Sequence, residues 1–284
     1  MPDDDLGWVT EQLLIDGTTV TCRRSTGGEG IPIVHVHGFA ISGAYLMPTA
    51  RLLADRWTNV VPDLPGYGRS QRRERVLDIR QLGDALVDVL DALGIEKAIV
   101  GGSSLGGVVS AQFGLDYPDR SHALIIGHTV PYLWQLGKEW LAHQMEAVRR
   151  RKPVIVNQPR SYEREAEGPP TADSAFVASM PGQFIATLDT SIGNTIDGVV
   201  ASLGVLENWD QRPRYPEHNQ LDVPVLVIVG GNEPQRTIEL SHEWSQQFKR
   251  ADFVILPNTH HNAGNENPLA WNSAVHGFLQ RNGF

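Results

Sequence analysis

Within the first 130 residues, four short runs rich in β-branched apolar residues each stop at or near a glycine, with helical patterns between them. The runs are IPIVHVHG (31–38), TNVVPDLPG (58–66), KAIVGG (97–102) and HALIIGH (122–128). Near-continuous apolar strands are buried on both faces, and strands that alternate with helices pair in parallel. The chain is thereby constrained to a mostly parallel sheet with helices on both faces. The helical candidates are 46–54, 79–93 and a segment running from Ser104 to Tyr117, with Pro118 just beyond. In the second of these, Ile79, Leu82, Leu86, Val89, Leu90 and Leu93 form one apolar stripe that Gly94 ends. Upstream, Asp16-Gly17 between two strand-like runs (11–24) is a hairpin signal. From Pro131 to about Gln220 no buried strand is evident, and Pro159, Pro169-Pro170 and Pro181 interrupt the helical stretches. The rhythm then resumes with strands at 223–231 and 251–257 and helices at 238–248 and 268–282. The expected organisation is one core, 1–130 with 221–284, carrying a helical insertion at 131–220.

Composition narrows what such a core can do. Apolar residues make up 41% and charged residues 20%, which suits a chain that buries a core. A net charge of −9 opposes nucleic-acid binding, and no apolar run is long enough for a membrane span. The basic run Arg149–Lys152 reads as a solvated helix face. Cys22 stands alone, so neither an internal disulfide nor a zinc cluster is expected. With the acidic opening MPDDDLGW, unlike the basic-then-apolar order of a secretory leader, this points to the cytoplasm.

The junction after the third of these runs carries the chemistry. Gly102-Ser103-Ser104-Leu105-Gly106 matches G-x-S-x-G between a strand and a helix, where a sharp turn lifts a serine out as a nucleophile. Register selects Ser104: for Ser103 the second glycine would have to be at 105, which is leucine.

These residues, with several other stretches, resemble the α/β-hydrolase fold family, in particular its cap-bearing esterases and carbon–carbon hydrolases. HVHGFAISG (35–43) resembles the family's oxyanion loop, and VVPDLPGYGRS (60–70) its Asp-x-x-Gly-x-Gly-x-Ser segment. YPDR (117–120) is similar to the Tyr-Pro-x-Arg after the nucleophile helix, and PNTHHNAGNENP (257–268) to the C-terminal histidine loop. The resemblance covers roughly 30–130 and 220–284 and says little about the insertion. It implies an eight-stranded, mostly parallel sheet with a helical cap, and a Ser…acid…His order along the chain.

Aligned on that pattern, His261 falls at the catalytic histidine, with its neighbour His260 as the alternative. The acid position, usually Asp, is Glu233 in GGNE; Asp210 in ENWDQRP competes, whereas Asp222 precedes its strand and belongs at the wrong sheet end. The resemblance implies an oxyanion hole from the backbone N–H groups of Leu105 and Phe39, with Ala40 the alternative to Phe39. His37 reads as stabilising its loop and Asp63 as bracing its turn. Ser103, Trp134, Phe176, Met180 and Trp209 are candidates for the substrate pocket. The implied activity is that of a serine hydrolase forming an acyl-enzyme on an ester, lactone or thioester of a medium-sized apolar substrate. Hydrolysis of a carbon–carbon bond in a β-diketone-like compound, or a non-hydrolytic lyase, cyclase or receptor on the same fold, stays open as the alternative. The expected partner is a small-molecule substrate, with no metal or organic cofactor, no nucleic acid and no membrane; a homodimer is allowed.

Overall fold

A computed structural model describes residues 7–39, 41–71, 77–149 and 203–284. Ala40 and the pocket candidates Phe176 and Met180 lie outside the described residues.

Strands β1 (Trp8–Ile15) and β2 (Thr18–Ser25) form the hairpin, and the turn residues Asp16 and Gly17 have φ of 46° and 70°. Two positive φ values in succession are what Asp-Gly supplies, because its short acid and its glycine both tolerate the left-handed region. Six further strands follow: β3 (Gly30–Val36), β4 (Trp57–Pro62), β5 (Ala98–Ser103), β6 (Ser121–Gly127), β7 (Val225–Gly230) and β8 (Ala251–Leu256). They build an eight-stranded sheet in the order β1-β2-β4-β3-β5-β6-β7-β8. Pairing is antiparallel from β1 through β2 to β4 and parallel everywhere else.

Helices α1 (Met47–Leu53), α2 (Ile79–Ala92) and α3 (Leu105–Asp116) follow β3, β4 and β5. Between β6 and β7 lie α4 (Gln135–Arg149) and α5 (Tyr215–Gln220); α6 (Gln235–Ser245) follows β7, and α7 (Ala263–Glu266) and α8 (Pro268–Arg281) close the chain. The sequence places α6 three residues late, since Pro234 caps it and the helix opens at Gln235. One apolar layer packs Leu53 of α1 and Trp271, Val275 and Phe278 of α8 against Ile33 and Ile125 of the sheet. The opposite layer packs Leu86, Val109, Phe113 and Trp244 from α2, α3 and α6 against Val34 and Val100. Each fully buried side chain of this size contributes about 1.5–3 kcal/mol of transfer free energy, so the sheet is a rigid platform for what stands on its edge. Among the described residues no helix is long and apolar enough to cross a membrane.

Two features of this architecture position a site. First, β3 is flanked by β4 on one side and β5 on the other, so the connections leave in opposite directions and open a crevice at the carboxyl ends of β3 and β5. Second, β3, β5 and α3 approach each other closely. A Cβ placed on Gly102 or Gly106 would overlap the Val36 carbonyl oxygen at the end of β3. These glycines are required for contact between strand and helix as much as for the turn itself. Gly106→Ala is expected to lower stability by about 1–3 kcal/mol or more, read as a lower denaturant midpoint, because the colliding atom is backbone and cannot rotate away.

The chain leaves the sheet after β6 and returns at almost the same point. Tyr132 and Asp210 form an antiparallel bridge, and the Gln211 N–H donates to the Pro131 carbonyl at 2.7 Å. Trp209 Nε1 donates to the Val130 carbonyl at 2.8 Å, and the Arg212 guanidinium lies 4.1 Å over the Tyr132 ring.

Candidate active site

Ser104 sits between β5 and α3 with φ 58° and ψ −123°, a conformation that costs a residue with a Cβ free energy and is held only by its surroundings. Its N–H donates to the Gly127 carbonyl at 2.9 Å, and its carbonyl accepts from the Val108 N–H at 3.0 Å. Both bonds fix the turn from the neighbouring strand and from the helix it starts. Leu105 is the first residue of α3, so its N–H is among the donors that a helix leaves without an intrahelical partner.

The loop after β3 lies against this turn: a Cβ on Gly38 would be 3.6 Å from the Ser104 Cβ. His37 is fully buried and locks that loop, its Nδ1–H donating to the Gly38 carbonyl at 2.8 Å and its Nε2 accepting from the Leu64 N–H at 2.9 Å. Burial holds it below the ordinary imidazole range, so it is neutral and structural. Asp63, also fully buried, accepts from the N–H groups of Gly43 and Arg69, each at 2.8 Å, and pairs with buried Arg23 at 2.7 Å. One carboxylate therefore ties together β2, the loop carrying Phe39 and the loop after β4.

On the far side of the turn, the ends of β6, β7 and β8 bring three ionisable groups together. His261 Nδ1 donates to Glu233 Oε1 at 3.1 Å, and His128 Nδ1 donates to the same oxygen, also at 3.1 Å. The Glu233 side chain is 6% exposed and that of His128 is 0%. Burial pushes Glu233 up, but the His261 charge and both imidazole hydrogen bonds pull harder and bring it down to about 2. Burial lowers His261, yet the Glu233 charge and hydrogen bond, with Glu266 adding, raise it further, and the net direction is up. His128 goes the other way: burial lowers it more than Glu233 raises it, so it stays neutral. The donor atoms of the three groups lie within 4.8 Å of one another, close enough to hold a cation, but both Nδ1 protons would have to leave first.

The two sequence alternatives are placed elsewhere. The His260 N–H and Nδ1 both bond Glu266, at 2.7 and 3.0 Å, so His260 folds the loop back onto α7. Asp210 is engaged by the Arg212 guanidinium at 2.6 Å and lies at the base of the insertion.

Ser104 and His261 line one cavity of about 60 Å³, with Ser103, Phe39, Ile125, Trp271 and Val275 among its other walls. It also takes in Tyr45, Thr49, Asn265 and His35, and among the described residues no Asp, Glu, Lys or Arg. His35 bonds Asn59 Oδ1 at 2.6 Å, and burial takes it down to about 4, so it is an uncharged polar group in the wall. Two pocket candidates do not reach this space. Trp209 is buried against Trp244, and Trp134 lies beside Gly137 where α4 begins. His35 and His128 carry no local signal of a role. His128 is visible only once β6 and β7 are known to be parallel neighbours, which places their carboxyl ends side by side.

A mostly parallel sheet with a strained serine at its switch point and a half-buried His–Glu pair beside it defines an α/β enzyme of hydrolase type. The model of the alpha/beta hydrolase fold family matches residues 31–268, and the chain belongs to that family. It is similar to 3-oxoadipate enol-lactonase 2 of Acinetobacter baylyi, 23% identical over 228 residues that make up 80% of each chain. It is likewise similar to the pimeloyl-[acyl-carrier protein] methyl ester esterase of Pseudoalteromonas atlantica, 25% identical over 85% of this chain and 91% of that one. Among solved structures, a thermophilic esterase from Thermogutta terrifontis superposes with a TM-score of 0.73 and 25% identity, over 97% of this chain and all of that one.

Proposed function

We propose that this protein is a serine hydrolase that cleaves an ester, lactone or thioester of a medium-sized apolar substrate through an acyl-enzyme. The observation that carries the reading is the convergence on one cavity of Ser104, held at φ 58°, and His261, whose Nδ1 is hydrogen-bonded to Glu233. With Nδ1 protonated and bonded to the carboxylate, the lone pair of neutral His261 is on Nε2. That nitrogen takes the Ser104 hydroxyl proton as Oγ attacks the carbonyl carbon, and the imidazolium formed is stabilised by Glu233. The oxyanion develops between the N–H groups of Leu105, at the positive end of α3, and Phe39. His261 then returns the proton to the leaving alcohol or thiol, and water repeats the sequence to release the acid. Both curated relatives named above are hydrolases of an ester or lactone bond by their names, which supports this bond class.

The cavity suggests what the acyl part is. Its walls hold no formal charge apart from His261 when protonated, so a free carboxylate on the acyl chain would find no cation among the described residues. At ~10–15 Å³ per water, about 60 Å³ holds roughly four to six small groups. The acyl arm is therefore short and uncharged. In a series of nitrophenyl esters, kcat/KM is expected to rise up to about butyrate and to gain nothing further by octanoate, because each methylene that stays in water forgoes the about 0.8 kcal/mol that burial would give. A β-diketone offered in parallel is expected to survive. Cleavage of the β-diketone without cleavage of the esters would overturn the reading in favour of carbon–carbon hydrolysis.

A further inference from the structure

His128 takes no part in the proton transfers above, yet it is built into the site more firmly than its position past the end of β6 requires. It is 1% exposed and adopts φ 49°, a left-handed conformation uncommon outside glycine, though asparagine, aspartate and histidine adopt it more often than other residues. Its N–H donates to the Ile228 carbonyl of β7 at 2.8 Å, and its ring stacks on Trp271 of α8 at 5.6 Å and 21°. Nδ1 donates to Glu233 Oε1, while Nε2 has no hydrogen-bond partner among the described residues. A buried imidazole with one bare nitrogen is costly, and its other nitrogen points at the carboxylate that orients His261. Glutamate has one more rotatable bond than aspartate, so a single bond from His261 leaves its carboxylate free to swing. A second donor on the same oxygen removes that freedom. Because His128 is neutral, it does this without adding a positive charge beside His261 when that ring becomes imidazolium.

We propose that His128 is a positioning residue whose Nδ1–H, together with His261, holds Glu233 in the one rotamer that keeps His261 aimed at Ser104. The proposal rests on the serine-hydrolase reading. The charged groups around the three side chains are Glu233 itself, His261 when protonated and Glu266, and none of these can replace the lost donor.

The test compares His128→Leu, which fills space without a donor, with His128→Asn, whose Nδ2 is as many bonds from Cβ as the histidine Nδ1. Asparagine also accepts the left-handed backbone. With nitrophenyl acetate as substrate, His128→Leu is expected to lower kcat about 10–100-fold with KM within about threefold of native, as misaligned catalytic groups do. His128→Asn is expected to recover most of the loss. Should His128→Leu not fold, His128→Gly removes the donor with no Cβ to strain at φ 49° and carries the same expectation. Native kcat in the donor-free variant, or equal losses in folded His128→Asn and His128→Leu, would overturn the proposal. A fluorophosphonate probe separates this failure from that of the underlying reading. If native protein is labelled at Ser104 while the His128 variants behave as native, only the positioning role falls; if native protein is not labelled, both fall.

Discussion

Replacing Ser104 with alanine is expected to lower kcat on a short-chain nitrophenyl ester by about 10⁴–10⁶-fold, the range seen when the nucleophile of a serine hydrolase is removed. The same substitution is expected to abolish covalent labelling by a fluorophosphonate, because the phosphorus needs an activated oxygen. KM is expected to change little, since Phe39, Ile125 and the other cavity walls are untouched. The backbone gives this variant a further use. Alanine retains a Cβ at φ 58°, so its fold should match that of the native protein within a few tenths of a kcal/mol. Lost turnover with an unchanged denaturant midpoint therefore reports chemistry alone. Labelling that persisted in Ser104→Ala, or native protein that resisted the probe, would remove Ser104 from the mechanism.

Glu233→Gln should have the second-largest effect, a fall in kcat of about 10³–10⁴-fold at neutral pH, comparable to neutralising the acid in other triads. The amide oxygen can still accept from both His128 and His261, so the substitution removes charge and largely keeps geometry. The pH dependence then separates the two. In the native protein Glu233 and Glu266 raise His261, and in the proposed mechanism this residue has to be neutral to accept the serine proton. Activity is therefore lost as the pH falls through a midpoint above the ordinary imidazole value of about 6.5. Without the charge on residue 233 that support is gone, and the acid limb of the Glu233→Gln profile should move to lower pH. A limb that stays in place would show that Glu233 does not face the titrating histidine. The competing acid offers a control: Asp210→Asn removes an exposed partner of Arg212 and should leave both turnover and the limb unchanged.

Several of these residues could be read directly from the chain, for identifiable reasons. The register of Gly102 and Gly106 selects Ser104 because close approach to Val36 forbids side chains at those two places, and a steric rule of that kind is written in residue identity. The Asp16-Gly17 hairpin is legible on the same ground. Periodicity locates the buried strands and the stripe of α2, since those elements are decided by which faces leave water. The pairing of His261 with Glu233 and of His260 with Glu266 is harder. Adjacent histidines look alike in sequence, and only the fold of the loop around α7 shows which of them turns toward β7. His128 and His35 are not legible at all. Their partners, Glu233 in the loop after β7 and Asn59 in β4, are 105 and 24 residues away along the chain. Trp209 shows the opposite difficulty. A large aromatic in the insertion invites a role in the pocket, whereas its indole N–H is taken by the Val130 carbonyl and its ring by Trp244.

The hydrogen-bonded junction at Pro131 and Gln211 has a consequence for how such a chain can change over time. At this junction Tyr132 bridges Asp210 and the Gln211 N–H bonds the Pro131 carbonyl, while Leu141 and Leu203 from the described ends of the insertion pack into the apolar layer of α2, α3 and α6. Closing a loop of twice the length costs only about 0.6 kcal/mol more, a small sum against the burial that holds the sheet. A change in the length of the intervening stretch is expected to leave Ser104 just after β5, Glu233 in the loop after β7 and His261 in the loop after β8. A graft made at Val130 and Arg212 is therefore expected to change what is recognised while leaving the proposed serine, glutamate and histidine in place.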